Sequence, residues 1–329
     1  MREIKLRVSI LFVCLLITAA GARSQTILSV TTATALPVVE IDPSTGVVRT
    51  ILSTGFSGGV RFQVSAFDPL RHRLFFLGDL GGSSQLVTVD LNTGTTTARP
   101  IPVSGIYLFF EYDASSNRIL AATTAAGIPV VSIDPINGNV QPLITTGLSG
   151  VRFEVSSYDV ARRRLFLLSE TGGESQLIVV DLLHSSVTVQ PLHTPDSFLF
   201  FEYDPLTDRV LAATTAPGVP IVSINPSTGA VQPLVTTGFT GGVRFEVSAF
   251  DSLRRRLFLL GDSGGTPQLI AVDLGNNSVD VRPIPTAGMY LFFQFAPASV
   301  DIPALSPASL LLLAIALAAV SIVAIARAA

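Results

Sequence analysis

The sequence predicts an all-β fold built from six repeated units of four short strands each. Three observations lead to this prediction: a long repeat, its division into halves, and the turn-bounded runs inside each half. The long repeat is marked by Leu36-Pro37-Val38-Val39, which recurs in similar form at residues 128–131 and 219–222, at spacings of 92 and 91 residues. Helical periodicity is absent from the repeats.

Each long repeat divides into two units that open on a short apolar run. Five of these runs begin with an arginine, at intervals of 45 to 47 residues, and a sixth begins at Thr26. The five arginines are Arg73, Arg118, Arg164, Arg209 and Arg256. Within residues 59–102, four β-like runs are separated by Asp-Pro, Gly-Gly and Thr-Gly pairs, which favour turns. Four strands in about 45 residues are typical of a β-propeller blade.

Proline indicates which strand lies at the outer edge of each blade. The fourth run carries a proline in five units, and proline is confined to sheet edges because it lacks an amide donor. These residues are Pro100, Pro142, Pro191, Pro233 and Pro283. The first run of each unit is therefore predicted to be innermost. The last blade is predicted to combine one C-terminal strand at 289–295 with three N-terminal strands between Thr26 and about Leu52.

The repeats resemble the YVTN/NHL-like class of bacterial propellers over roughly residues 26–297. The resemblance rests on Asp-Pro-Ser-Thr-Gly at 42–46, Asp-Pro-Ile-Asn-Gly at 134–138, and Phe-Glu-Tyr-Asp-Pro at 201–205 before Arg209. These motifs are generic, so the resemblance implies the propeller fold and no particular function.

The N-terminal 22 residues have the features of a secretory signal peptide. Arg2, Lys5 and Arg7 precede an apolar run at 10–17, and small residues follow at 20–22. Cys14, the single cysteine of the chain, lies inside this segment, so the mature protein is expected to have no thiol or disulfide. Removing 1–22 changes the net charge from -3 to -5. Because Lys5 is the only lysine, a nucleic-acid partner is not expected.

The C-terminal part is predicted to hold a linker at 298–308 and a transmembrane or sorting helix at 309–326. Eighteen uncharged residues at about 1.5 Å each span about 27 Å, close to a bilayer core, and Arg327 follows. The preceding motif resembles the IPTL-CTERM and PEP-CTERM sorting signals; it consists of Ile302, Pro303, Ala304, Leu305 and Ser306. Ala304 departs from that pattern. The resemblance implies an envelope sorting protease as a partner, with the segment either retained or cleaved.

The sequence shows no catalytic motif in the structural context that its chemistry needs. His72, His184 and His193 do not recur between units and have no metal-ligand spacing, and no phosphate loop is present. Gly-x-Ser-x-Gly spacing occurs at 55–59 and 261–265, but these all-β repeats lack the helix that follows the serine of a nucleophile elbow. We therefore expect no catalytic residues and no bound cofactor, although the sequence leaves the metal question open.

Two groups of polar residues are candidate binding sites. The first is an acid beside a glycine pair in alternate units, Asp79, Glu170 and Asp262, on one face of the ring. A self-capping turn explains these acids equally well.

The second candidate is the central channel. Aligning the six first strands places glutamate or glutamine at one register position, namely Gln63, Glu111, Glu154, Glu202, Glu246 and Gln294. Arginines stand two residues earlier in alternate units, at Arg61, Arg152 and Arg244. Because residues i and i+2 share a strand face, the channel is predicted to carry adjacent carboxylate and guanidinium layers. They could pair with each other or hold one cation, such as Ca²⁺.

Three functions are compatible with this sequence. An exported, envelope-anchored propeller that binds a protein or glycan without catalysis fits the near-uniform repeats best. A propeller hydrolase or lactonase with a channel metal, and a structural component of a surface layer, remain as alternatives.

Overall fold

The computed structural model of the protein describes residues 25–102, 105–148, 155–171, 173–194, 196–285 and 288–297, without the side chains of 171 and 246. The predicted signal peptide, the linker, the sorting motif and the apolar segment at 309–326 lie outside these residues. No helix long and apolar enough to span a bilayer occurs in the described part of the chain.

Six four-stranded antiparallel sheets form the fold, so the predicted six-bladed propeller is confirmed. Blade 1 contains β4 (Gly59–Asp68), β5 (Arg73–Leu80), β6 (Ser83–Asp90) and β7 (Thr95–Pro100). Blade 2 contains β8 (Glu111–Asp113), β9 (Arg118–Ala122), β10 (Pro129–Ile133) and β11 (Val140–Thr145). Blade 3 contains β12 (Ser156–Asp159), β13 (Arg164–Thr171), β14 (Glu174–Asp181) and β15 (Ser186–Leu192).

The remaining blades complete the ring. Blade 4 contains β16 (Phe198–Asp204), β17 (Arg209–Thr214), β18 (Pro220–Ile224) and β19 (Val231–Thr236). Blade 5 contains β20 (Gly242–Asp251), β21 (Arg256–Ser263), β22 (Thr266–Asp273) and β23 (Ser278–Pro283). Blade 6 contains β24 (Gln294–Ala296), β1 (Thr26–Val30), β2 (Pro37–Ile41) and β3 (Val48–Ser53).

The two ends of the ring are joined inside blade 6, as the sequence predicts. Strand β24 pairs antiparallel with β1, with Gln294 opposite Leu28 and Ala296 opposite Thr26. The last blade therefore consists of one C-terminal and three N-terminal strands. Backbone hydrogen bonds between β24 and β1 thus join the two ends of the ring within one sheet.

The order of strands within each blade also agrees with the prediction from proline. The first strands of neighbouring blades contact one another around the axis, which makes them innermost. The fourth strands lie at the far edge of each sheet, and they hold the five prolines. The ladder between the third and fourth strands shifts register by one residue in blades 2, 4 and 6, beside Pro142, Pro233 and Thr50.

The cores lie between adjacent blades, and they show a three-fold internal repetition. An aromatic ring on the second strand of blades 1, 3 and 5 stacks on a ring from the first strand of the following blade. Ring centroids are 5.8 Å apart for Phe75 and Tyr112, 5.3 Å for Phe166 and Tyr203, and 6.1 Å for Phe258 and Phe295. The ring therefore consists of three copies of a two-blade unit, which is the repeat of about 92 residues.

One buried aspartate ends the first strand in each of five blades: Asp68, Asp113, Asp159, Asp204 and Asp251. In blade 3, Arg164 Nη2 lies 2.7 Å from Asp159 Oδ2 and 2.5 Å from Asp208 Oδ1 of blade 4. Burial alone would raise the pKa of Asp159, but hydrogen bonds from Arg164 and the Arg162 amide outweigh it and lower that pKa. These pairs tie neighbouring blades together.

Replacing Arg164 with alanine is expected to lower the free energy of unfolding by about 3 kcal/mol, because it removes the main partner of a buried carboxylate. The matched control is Arg49→Ala, since Arg49 also pairs with a carboxylate, that of Glu40, but is 77% exposed. That change should have a much smaller effect on stability, because solvent screens the exposed pair. Urea unfolding of both variants measures the difference, and equal losses would contradict a structural role for the buried pair.

Candidate functional site

The first strands of blades 1 and 5 each contain a large β-bulge. In β4, Val60 pairs with Gly78 and the next paired residue, Ser65, faces Phe76. Residues 61–64 therefore stand opposite Leu77 alone, which leaves three residues in excess. The same shift lies between Val243 and Ser248 in β20. Within β4, Gln63 has a φ of +71°, a conformation unusual for a residue with a side chain.

The bulges change the register that the sequence alignment predicts. Glu111 and Glu202 lie two residues before the aspartate that ends their strands, whereas Gln63 lies five residues before Asp68. The prediction of one layer is therefore wrong for Gln63, because the bulge moves it three positions along the strand. Glu246 occupies the matching place in β20, and its side chain is not described. Arg152 and Glu154 lie outside the described residues.

Three hydrogen bonds across blade boundaries surround the channel axis. The Ser156 hydroxyl donates to Glu111 at 2.8 Å, and the Ser248 hydroxyl donates to Glu202 at 2.8 Å. At the third boundary, Gln294 Nε2 donates to Ser65 Oγ at 3.0 Å. The three pairs repeat the three-fold pattern of the ring. The serines were missed from sequence, although each lies three residues before a strand-ending aspartate.

These side chains line a cavity of about 460 Å³ inside the ring. Four of the predicted channel residues border it together with the three serines: Gln63, Glu111, Glu202 and Gln294. Phe109, Phe200 and Phe292 also reach its wall, but they are buried and pack between blades.

The two glutamates hold their protons more strongly than exposed glutamates do. Burial raises the pKa of Glu111 to about 7, against the opposing effect of the Ser156 hydrogen bond. Burial also raises the pKa of Glu202 to about 8, and repulsion from Glu111 adds to this shift. The side chains keep partial access to the cavity, and water there reduces the effect. The two carboxyls therefore titrate as a pair near neutral pH.

The predicted layer of arginines beside the carboxylates is not present in the described part of the channel. Arg61 and Arg244 do not border the cavity, because both lie on the bulges. Arg244 Nη1 instead lies 3.6 Å from Met289 Sδ. Glu111 and Glu202 thus bond to serines where the sequence suggested guanidinium partners, and burial raises their pKa values although the serine hydrogen bonds oppose it.

The bulges carry large side chains to one end of the ring, here called the bulge face. Phe62 is 44% exposed and Phe245 is 47% exposed, while the sequence-aligned Phe110 and Phe201 are buried. The bulges reach toward each other across blade 6. Gln63 Nε2 donates to the carbonyl of Phe245, and the Gln63 amide donates to the Leu291 carbonyl at 3.0 Å. Exposed Met289 lies beside them.

The three predicted loop acids lie at hairpin ends on the bulge face. Asp79 Oδ1 accepts a hydrogen bond from the Gly82 amide at 3.2 Å, and Asp262 Oδ1 accepts one from Gly265 at 3.0 Å. Two consecutive glycines with positive φ, such as Gly81 and Gly82, form a two-residue turn of type I′. Glu170 faces Ser175 at the corresponding position. Asp79 and Asp262 thus support their own turns, and a role of the three acids in ligand binding stays a prediction.

A glycine before each bulge, Gly58 or Gly241, allows the chain to pack closely against the neighbouring hairpin. A Cβ atom on Gly58 would overlap the Asp79 carbonyl oxygen and lie 2.6 Å from Phe56 Cζ. Gly241 has the same surroundings, formed by Asp262 and Phe239. The Phe-x-Gly-Gly sequence before each bulge is therefore a local signal for it, although its meaning is clear only from the packing.

No family model matches the chain, and no curated protein matches its sequence. Many solved structures share its fold. A chain in the crystal structure of a nidogen/laminin complex matches with a TM-score of 0.62 and 12% identity, over 83% of this chain and 98% of that one. TolB from Acinetobacter baumannii matches with a TM-score of 0.62 and 16% identity, over 84% and 68% of the two chains.

Puromycin hydrolase matches with a TM-score of 0.54 and 14% identity, and 86% of this chain covers 50% of that protein. Identities this low establish a shared propeller fold and carry no activity across. The class of the protein is thus a six-bladed β-propeller with TolB-like and other propeller neighbours.

Replacing Gly58 with alanine is expected to destabilise the protein by about 2 kcal/mol, because the new methyl group overlaps a backbone carbonyl. Gly59→Ala is the matched control, since nothing lies within 4 Å of a Cβ there and its φ is ordinary. The control should stay within about 0.5 kcal/mol of the parent in thermal or urea unfolding. Similar effects of both changes would contradict a requirement for glycine at position 58.

The free energy of unfolding is expected to fall as pH rises from 5 to 8. A carboxyl with a raised pKa binds its proton more tightly in the folded state, so folding gains stability below that pKa and loses it above. Glu202→Gln should remove part of this slope, on the order of 1–2 kcal/mol across the interval after screening by cavity water. Glu174→Gln at an exposed hairpin tip is the control. A parent whose stability is flat from pH 5 to 8 would contradict the titration.

Proposed function

We propose that this propeller is an exported binding module that presents its bulge face to a protein partner. The observation that carries the proposal is the pair of three-residue bulges that bring Phe62 and Phe245 to the surface. Bulges interrupt a hydrogen-bonded ladder and re-aim side chains, and they are common beside functional sites.

The exposed phenylalanines have no role in the core that would explain their position. Phe110 and Phe201, which align with them in sequence, are almost fully buried in the cores between blades. The extra residues in β4 and β20 thus turn a core residue type outward. Large aromatic side chains and arginines dominate the binding energy of protein interfaces. Each bulge offers both, as Arg61-Phe62 and Arg244-Phe245.

The chemistry of the bulge face indicates what kind of partner it fits. Phe62, Phe245 and Met289 supply apolar contact area, and the two bulge arginines supply positive charge. The acids Asp79, Glu170 and Asp262 lie on the same face, so a partner surface with apolar side chains and charges of both signs is complementary to it. A glycan, which would stack on the aromatic rings, is the alternative ligand.

The location that we propose for this module is the cell envelope. The predicted signal peptide at 1–22 supports export, and the uncharged segment at 309–326 supports attachment to a membrane or processing by a sorting protease. Both features are read from sequence alone.

A second candidate function is suggested by the channel cavity. Glu111 and Glu202 face a space of about 460 Å³ with raised pKa values, so a small cation entering it would displace their protons. The described residues contain no group of three or more His, Cys, Asp or Glu side chains that could hold a metal. A Ca²⁺ ion would therefore depend on two carboxylates and neutral oxygens, and it should raise the melting temperature of the parent but not of Glu202→Gln.

A photoreactive amino acid placed at position 62 or 245 is expected to form one discrete adduct with an envelope protein in the native cells. The same group at Thr97, which is exposed on the outer strand β7, is the control and should give no such adduct. The double variant Phe62→Ser/Phe245→Ser should keep the parent melting temperature and lose the partner.

Three results would contradict the proposal. One is no adduct at either position, another is the same adduct at Thr97, and the third is an adduct removed by glycosidase but not by protease. The last result would favour the glycan.

A further inference from the structure

The end of the ring opposite the bulge face, here called the tip face, exposes an unusual number of large apolar residues. In a four-stranded meander, the turns between strands 1 and 2 and between strands 3 and 4 lie at the same end. Leu70, Leu206 and Leu253 occupy the tips of the inner turns and are 75%, 72% and 83% exposed. Val160 and the outer-turn residues Val47, Ile136 and Leu183 are exposed as well. Turn tips are ordinarily polar, so this face requires an explanation.

Arginines accompany the leucines around the axis. Arg71 follows Leu70, Arg254 follows Leu253, and Arg162 holds the same position in blade 3, each with about half of its side chain exposed. The five inner hairpins, at 68–73, 113–118, 159–164, 204–209 and 251–256, contain ten of the 21 basic residues of the chain and six aspartates. The centre of the tip face therefore carries a net charge of +4.

Aspartates occupy the outer rim of the same face. They are Asp42, Asp90, Asp134, Asp181 and Asp273, and each accepts hydrogen bonds from the backbone amides of its own turn. Arg118 Nη1 also lies 3.2 Å from Asp134 Oδ2. The rim carboxylates thus accept hydrogen bonds from their own turns. The exposed leucines and arginines lie nearer the centre of the face.

The chain leaves the ring at this face. Ala296 pairs with Thr26 at the start of β1, so β24 ends beside the inner turns. Eleven residues, 298–308, separate the ring from the uncharged segment that begins at Ser309. Fully extended, this stretch reaches about 36–40 Å. A membrane-inserted segment would therefore hold the ring within a short distance of the bilayer, where even weak contacts are populated because the effective concentration is high.

We propose that the tip face docks onto the lipid bilayer, with Leu70, Leu206 and Leu253 inserted among the acyl chains and the neighbouring arginines at the headgroup phosphates. Apolar side chains flanked by arginine suit a membrane interface, because the apolar part enters the hydrocarbon while the guanidinium stays at the phosphates. The bulge face then points away from the membrane, toward a partner. The inference rests on the proposed membrane attachment and extends it to the orientation of the ring.

The test uses residues 23–329, the chain that remains after removal of the predicted signal peptide and that contains no cysteine, reconstituted into vesicles of phosphatidylethanolamine and phosphatidylglycerol in a 3:1 ratio. An environment-sensitive NBD dye is attached to Leu253→Cys at the tip face or to Ser83→Cys, an exposed hairpin position on the bulge face. The label at 253 is expected to show a blue shift, a severalfold rise in emission and quenching by brominated lipid. The label at 83 should show none of these.

A second variant separates docking from simple attachment. This triple variant combines Leu70→Ser, Leu206→Ser and Leu253→Ser. Its fold should stay intact, since all three side chains are mostly exposed. A label at Val160→Cys should then lose its lipid signal. If the protein floats with the vesicles but the 253 label reports an aqueous environment, the docking proposal is wrong and the membrane attachment is not contradicted. Protein that does not float overturns both. If the 253 label is shielded from water in cell envelopes but not in vesicles, the lipid assignment is wrong and the tip face contacts a protein.

Discussion

The space around the axis is the constraint on which the rest of this molecule depends. Six first strands converge there, and the room between them admits only a few side chains. In blades 2, 4 and 6 the strand contributes a long polar group, Glu111, Glu202 or Gln294, and the next strand contributes a serine that bonds to it. Long and short side chains thus alternate, and every blade boundary that joins two copies of the two-blade repeat contains one such bond.

Blades 1 and 5 carry the bulges in their first strands. Each of these strands holds three residues more than its ladder with the second strand accommodates. The excess residues of β4 and β20 are instead extruded at one end, where Phe62 and Phe245 become exposed. Since serines satisfy the axial carboxyls, the arginines of the bulges remain available at the surface. The bulges therefore form the bulge face, which is the proposed binding surface.

The two ends of the ring differ in chemistry for related reasons. At the tip face the first strands end on buried aspartates, and arginines from the following turns neutralise them. The turns that bring these arginines into place also expose leucines. One end thus combines apolar tips with a basic centre, and the other combines extruded aromatic residues with self-capped acids. If the proposed export and membrane attachment hold, the two ends can serve different contacts.

Sequence reasoning was sufficient for the fold because period, turn chemistry and proline position are local signals. The outer edge, the innermost strand and the closure at Thr26 followed from them. The register at the axis was not predictable in this way. Phe-Gln at 62–63 aligns with Phe-Glu at 110–111, yet the first pair lies on a bulge, whereas Glu111 pairs with Leu120 in a regular ladder. Only backbone pairing distinguishes them, and for the same reason the serine partners and the exposed phenylalanines were missed.

The central claim is that the axis is held by serine-bonded carboxyls that keep their protons near neutral pH. Carbon-13 NMR titration of glutamate-labelled protein tests it directly, with Glu111→Gln and Glu202→Gln to assign the signals. The account predicts two coupled carboxyl resonances with midpoints at pKa values of about 7 and about 8. Midpoints for both groups near the ordinary glutamate pKa of about 4.3 would show that cations neutralise the axis, and would contradict the account.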